Sequence, residues 1–221
     1  MTDLDIIKQL EQEIGKKLTQ ISLDDKPYFE KNGYAVNKNN DVIGLSLNTI
    51  ELSKIPNSLH FLKKLKILSC YLNEIEILPN SFGELQSLRH LNLGGNQLKE
   101  LPESFGQLQN LRELYLAENQ LNKLPLSFRQ LRGLKTLHLS GNQIKELSES
   151  FRQPQNLREL NLSGCQLKEL PVWLKELESL EKLDLRMNQI KELPVWLGSL
   201  QNLNCLDLSN NHLTELPEAI I

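Results

Sequence analysis

The feature that most constrains this chain is a 23-residue period that runs without slipping from Val42 to the last residue, Ile221. Aligning the leucines starts repeats at Val42, Leu65, Leu88, Leu111, Leu134, Leu157, Leu180 and Leu203, and LRHLNLGGNQLKELPESFGQLQN from Leu88 represents the set. A fixed period of this size specifies a solenoid, in which each copy stacks on the next and no single central core forms. One copy is too small to fold alone. Burying its few apolar side chains offsets only part of the entropy lost in ordering its backbone, so stacking must supply the rest.

Within each copy the segment L-x-x-L-x-L alternates with the strand period. Its inward residues form one column from Leu45 to Leu206 and a second from Leu47 to Leu208, with Cys70 standing for one leucine in the second. Stacked copies therefore predict a parallel sheet. A third column (Leu52, Ile75, Leu98, Leu121, Ile144, Leu167, Ile190, Leu213) lines the far side of the core. The Leu-Pro pairs that follow suit a turning edge, because proline lacks an N–H and fixes φ. Phe82, Phe105, Phe128 and Phe151 close the convex side on short helical turns.

An asparagine column (Asn73, Asn96, Asn119, Asn142, Asn188, Asn211) also points inward. A buried amide is costly unless bonded, which predicts a ladder joining each side chain to the backbone of its own turn and of its neighbour. Cys165 replaces one rung as a small group with a weak donor. Ile50 stands at the start of the column. Repeat five departs from the template at Ser148 and Pro154 and should be the least well packed.

The sequence divides into an N-terminal cap, 1–41, and eight repeats, 42–221, the last one incomplete. In the cap, Leu4, Ile7, Leu10, Ile14 and Leu18 fall at steps of three or four, one face of a helix suited to cover the first repeat. Asn32 to Asn37, the turn-like Lys38-Asn39-Asn40-Asp41, and Val42 read as a hairpin. The last repeat carries no polar cap over Leu206 and Leu208. Such an edge is a liability, so the chain is expected either to continue in a longer protein or to pair with another copy.

Composition narrows function further. The net charge is −3, with 25 basic and 28 acidic residues, which gives no large basic field for phosphate backbones and argues against nucleic acid. The N-terminus lacks the pattern of a signal peptide, and no run approaches the length of a membrane span. Cys70, Cys165 and Cys205 fall at unrelated positions of the repeat. An odd, unpaired set without a secretory signal indicates a reducing compartment, and hence the cytoplasm. There is no phosphate-binding glycine loop: Gly15-Lys16-Lys17 lacks the upstream glycine and the hydroxyl residue, and Gly94-Gly95 occupies turn positions. No H-E-x-x-H or C-x-x-C occurs. His90 and His138, with Glu113 between them, are expected to be two imidazoles in a binding surface rather than a metal or catalytic site. The chain reads as a non-enzyme without a cofactor.

What remains is the concave sheet, whose outward columns vary while the framework does not. The candidate protein-binding residues are Ile67, Tyr71, His90, Glu113, Tyr115, His138, Glu159, Asn161, Lys182, Asp184, Arg186 and Asp207. Tyrosine and arginine are enriched at binding hot spots. Asp184 and Asp207, on adjacent strands with Arg186 close, should form an acidic end that takes a basic ligand group. The Lys-Glu pairs Lys99/Glu100, Lys145/Glu146, Lys168/Glu169 and Lys191/Glu192 should form a solvated flank. Trp173 and Trp196 should pack one repeat apart on the convex side.

The spacing L-x-x-L-x-L-x-x-N-x-L with its Leu-Pro edge resembles the leucine-rich repeat, specifically the 23-residue class of bacterial proteins and animal Ras-pathway scaffolds. The resemblance implies an α/β leucine-rich-repeat solenoid, a right-handed horseshoe with a parallel concave β-sheet. The segments MTDLDIIKQLEQEIGKKL and NGYAVNKNNDVIGLSL resemble the start of bacterial Roco proteins, in which such repeats precede a Ras-like Roc GTPase and a COR dimerisation domain. That resemblance covers residues 1–47 and implies a domain that regulates or targets a GTPase, with a polypeptide as partner. No nucleotide-binding residue carries over, because the P-loop is absent. A free-standing adaptor or host-interaction protein, forming a homodimer through its last repeat, is the competing reading. The recognition half of an enzyme such as a ubiquitin-ligase effector is a third.

Overall fold

Each repeat contributes one short strand, because its two inward leucines alternate with outward polar residues over only a few positions. The structure, a computed structural model, describes residues 1–22, 31–147 and 156–217. Helix α1 spans Asp3–Ile14. The strands are β1 Thr19–Gln20, β2 Gly33–Val36, β3 Val42–Ser46, β4 Ile67–Ser69, β5 His90–Asn92, β6 Glu113–Tyr115, β7 Thr136–His138, β8 Glu159–Asn161, β9 Lys182–Asp184 and β10 Cys205–Asp207. Among the described residues they form one open sheet of ten strands in sequence order. From β3 onward every neighbour is parallel and in the register of the 23-residue period, so that Ile67, His90, Glu113, Thr136, Glu159 and Lys182 are successive partners. Among the described residues only β2 and β3 are antiparallel, the hairpin that opens the solenoid.

The return path is built from 3₁₀ turns rather than α-helices: Asn57–Phe61, Asn80–Glu84, Glu103–Gln107, Leu126–Gln130, Val172–Glu176 and Val195–Ser199. A proline precedes each one, from Pro56 to Pro194, with φ between −58° and −73°. The ring presets that angle and withholds an N–H that has no intrahelical partner there. Phe82 and Phe105 are fully buried and stack with centroids 6.2 Å apart. Trp173 is buried too and donates its indole N–H to the Leu147 carbonyl at 3.2 Å, while Trp196 is half-buried. Ser148, Phe151 and Pro154 lie outside the described residues.

The asparagine ladder is present on every rung that carries the residue. Asn119 shows the pattern: Nδ2 donates to the carbonyls of Leu93 (2.9 Å), Leu116 (3.1 Å) and Ala117 (3.3 Å), while Oδ1 accepts from Leu98 N–H (2.9 Å). The first of these acceptors lies in the preceding repeat, so one amide ties two turns together. Cys165 reproduces the donor half, with Sγ 3.2 Å from the Leu139 carbonyl. A thiol has no amide oxygen to offer Ile144 N–H, the counterpart of Leu98 and Leu121. Burial without charge partners pushes the Cys165 thiol up to about 11 and Cys70 up to about 12, so both stay protonated and inert.

In the cap, the buried face of α1 is Ile6, Ile7 and Leu10, with Leu4 and Ile14 half-buried. Ile6 joins the face that periodicity assigned to Leu4, Ile7, Leu10, Ile14 and Leu18. Leu18 is buried but lies beyond the helix, which stops where Gly15 takes the left-handed conformation at φ 66°. The chain then folds back, and Glu11 accepts from Leu18 N–H at 2.8 Å. Thr2 and Asp5 form a reciprocal capping box at the other end. Two carboxylates fasten the helix to the repeats: Asp3 accepts from Val42 N–H (2.7 Å), and Glu13 accepts from Asn57 and Ser58 N–H (2.6 and 3.1 Å). Glu103 makes the same kind of link between two repeats, accepting from Leu126 and Ser127 N–H.

These bonds give two opposite expectations for the ladder. Asn119→Ala strands the Leu98 N–H in the core, while the Leu93 and Leu116 carbonyls keep Asn96 and Asn142 as donors, and should cost about 1–3 kcal/mol. Cys165→Asn restores the missing acceptor and should add about 1 kcal/mol. Urea unfolding followed by circular dichroism measures both; a Cys165→Asn protein less stable than its parent would contradict the assignment.

Candidate functional site

The strand register fixes what the outward face can present, since each column repeats one position on neighbouring strands about 4.8 Å apart. All twelve candidate residues are half-buried or exposed on that face. They fall into two groups with a continuous join. Ile67 and Tyr71 lie at the N-terminal end, where the surface is neutral and rich in side-chain amides. Glu159, Lys182, Asp184, Arg186 and Asp207 lie at the C-terminal end, where it is charged.

Ser46 and Ser69, which the alternation places outward, are fully buried at the neutral end. Asn32 and Asn48 cover them: Ser46 Oγ lies 3.3 Å from Asn32 Oδ1, and Ser69 Oγ donates to Asn48 Oδ1 at 2.7 Å. Asn32 also receives Asn48 N–H at 2.6 Å and donates to the Asn48 carbonyl at 2.7 Å. The reason for the difference is that the residue ahead of β2 reaches over β3, a contact that the period of the repeats does not encode.

In the centre, β5 to β8 bring histidines against carboxylates. His90 Nδ1 sits 3.1 Å from Glu113 Oε2 but out of line for a hydrogen bond. His138 Nε2 lies 2.9 Å from Glu159 Oε1 and is aligned. Tyr115 connects the two pairs: its hydroxyl is 3.3 Å from Glu113 Oε2, and its ring meets His138 edge-on with centroids 4.8 Å apart. Lys182 Nζ completes the row 3.9 Å from Glu159. Among the described residues no three histidine, cysteine, aspartate or glutamate side chains converge as a metal-binding group.

At the charged end Arg186 lies between the two carboxylates expected there. Arg186 grips Asp184 through Nε (3.0 and 3.1 Å) and Nη2 (2.7 Å), and its Nε lies 3.4 Å from Asp207. The two carboxylates and the guanidinium leave one net negative charge. Asp207 is held below the usual carboxylate range chiefly by Ser209, whose hydroxyl and N–H both donate to Oδ1, with a smaller contribution from Arg186. A depressed folded value adds stability above the unfolded pKa that is lost as pH falls through the folded one. Ser209→Ala should therefore raise the Asp207 titration midpoint more than Arg186→Ala does. Carboxyl-carbon NMR across the acid range reads both, and the reverse ordering would contradict the geometry.

The Lys-Glu pairs on the far flank are exposed. Among the described residues no helix is long and apolar enough to cross a membrane.

Family models described as leucine-rich repeat match residues 87–108, 101–144 and 125–167, and a two-copy version matches 155–197 and 178–220. Internalin C2 from Listeria monocytogenes has the same fold, with a TM-score of 0.76 at 23% identity over 99% of this chain and 92% of that one. A leucine-rich-repeat protein of Leptospira interrogans gives 0.60 at 26% identity over 92% of this chain and 62% of that one. The ectodomain of the Arabidopsis receptor kinase HAESA, solved with an N-terminally extended IDA peptide hormone ligand, gives 0.65 at 26% identity over 99% of this chain and 43% of that one. The chain thus spans less than two thirds of the length of the last two. None of the curated proteins matches the sequence.

Proposed function

Because this chain belongs to the leucine-rich-repeat family, whose repeats generally mediate protein–protein interaction, we propose that it is a non-catalytic module that holds a polypeptide across its concave face. The observation that carries the reading is the division of labour within the repeat. Inward positions are committed to packing and to the ladder, whereas the outward columns from Tyr71 to Asp207 differ strand by strand and hold an aromatic, several carboxylates and cations in fixed geometry. Pre-set side chains lose little freedom on binding, which favours recognition over mere solvation. The HAESA ectodomain, a similar solenoid solved in complex with a peptide hormone ligand, supports the reading.

In this reading residues 1–41 are a lid on the repeats at 42–221, fastened by Asp3 and Glu13. The resemblance of residues 1–47 to Roco proteins supports a finer version, in which the concave face docks a Roc–COR GTPase region and regulates it in the cytoplasm. Tyr115 and Arg186 are the anchors. A photo-crosslinking residue placed at Asn161 should give a discrete adduct with the Roc–COR polypeptide supplied as a separate chain, and the same residue at Ile77, on the far flank, should not. Tyr115→Ala with Arg186→Ala should weaken that complex by about tenfold or more. Adducts from Ile77 alone would place the partner elsewhere, and an unchanged affinity would remove the anchors.

A further inference from the structure

A net charge of −3 conceals a local arrangement of the opposite sign. The residue that leads into each strand is Lys66, Arg89, Arg112, Lys135 and Arg158 on five successive repeats. The backbone links them directly, since Arg89, Arg112, Lys135 and Arg158 N–H each donate to the carbonyl of the preceding member at 2.8 Å. With strands about 4.8 Å apart, the five side chains form a row roughly 19 Å long beside the concave face. Lys66, Arg89, Lys135 and Arg158 are exposed and Arg112 is half-buried. Arg158 pairs with Glu181 at 3.0 Å. Like charges on directly adjacent strands repel one another, so such a row is destabilising in the unbound protein.

One member is also held in place. A Cβ at Gly133 collides with the Arg112 guanidinium, whose Nη1 donates to the Leu111 carbonyl at 3.2 Å. The repeats on either side carry Asn110 and Asn156 at the Gly133 position, and each bonds the backbone one repeat back. Gly133 gives up that bond and leaves the space to the arginine.

We propose that this row is a docking surface for an acidic polypeptide segment lying across the strands at the edge of the concave face. The complementarity selects a peptide over other polyanions. Glu113 and Glu159 directly follow Arg112 and Arg158, so a chain carrying charge on every unit and every side meets carboxylates as well as cations. An extended peptide directs alternate side chains to opposite sides, turning its acids to the row and its other residues to the concave face. Long, flexible lysine and arginine side chains absorb the difference between peptide and strand spacing. The surface is separate from the Tyr115 and Arg186 anchors, and its test does not depend on them.

The probe is a fluorescein-labelled peptide of alternating glutamate and serine, with a glutamine–serine peptide as control, followed by anisotropy at low salt with the full chain. The acidic peptide should bind, the control should not, and affinity should fall steeply as salt screens the row. Arg89→Glu with Lys135→Glu should weaken binding by about tenfold or more, and Arg89→Gln with Lys135→Gln by less. Lys99→Glu with Lys168→Glu on the opposite flank should change it less than about twofold, as should Tyr115→Ala with Arg186→Ala. Absence of binding at low salt, or an equal loss from the opposite-flank variant, would overturn the proposal. Tighter, row-dependent binding of a single-stranded oligonucleotide or of phosphatidylserine vesicles would also overturn it, by giving the surface to a different polyanion.

Discussion

Everything in this molecule depends on how the turn after each strand satisfies its buried backbone. A solenoid of short strands has more turns than sheet, and every turn carries carbonyls and amides into a core lined by leucine. The asparagine column resolves this by letting one side chain donate to two successive repeats and accept from the earlier one, as Asn73, Asn96 and Asn119 do. The ladder and the leucine columns reinforce each other: the ladder holds the turns in register, and that register keeps the leucines of neighbouring repeats in contact. It also explains why Cys165 is tolerated, since the thiol retains the donor that reaches Leu139.

Because packing and the ladder use the inward positions, the outward ones are not needed to hold the fold. The structure places them at fixed separations with few degrees of freedom left. Tyr115 is restrained by Glu113 and by the edge of the His138 ring, and Arg186 by Asp184. The concave face is thus a graded surface, neutral amides at the cap end and compensated charges at the other. The flanks differ as well: one is a mixed Lys-Glu field, and the other carries the basic row that leads into the strands.

The parts of the fold that follow from the period were legible in the sequence. Strand register, the inward columns, the inert Cys70 and the contact of His90 with Glu113 all depend only on residues 23 apart lying side by side. What was not legible involves contacts outside that rule. Ile6 is buried with Ile7 and Leu10, so the face of α1 turned to the repeats is wider than the single stripe read from Leu4, Ile7, Leu10 and Ile14. Asn32 covers Ser46 through a strand pairing particular to the cap. Arg186 folds onto Asp184 two residues back, a choice of rotamer rather than of register. The basic row was visible in the sequence from Lys66 to Arg158, but the net charge gave no sign of it.

The ladder can be examined at a single atom. Native-state hydrogen exchange by NMR compares Ile144 N–H, whose neighbouring rung is Cys165, with Leu98 and Leu121 N–H, which asparagine oxygens accept at 2.9 Å. If the asparagine acceptor secures each turn, Ile144 should exchange faster than both by about tenfold or more, despite equal burial. Equal protection of the three amides would show that leucine packing alone holds the turns, and would contradict the account.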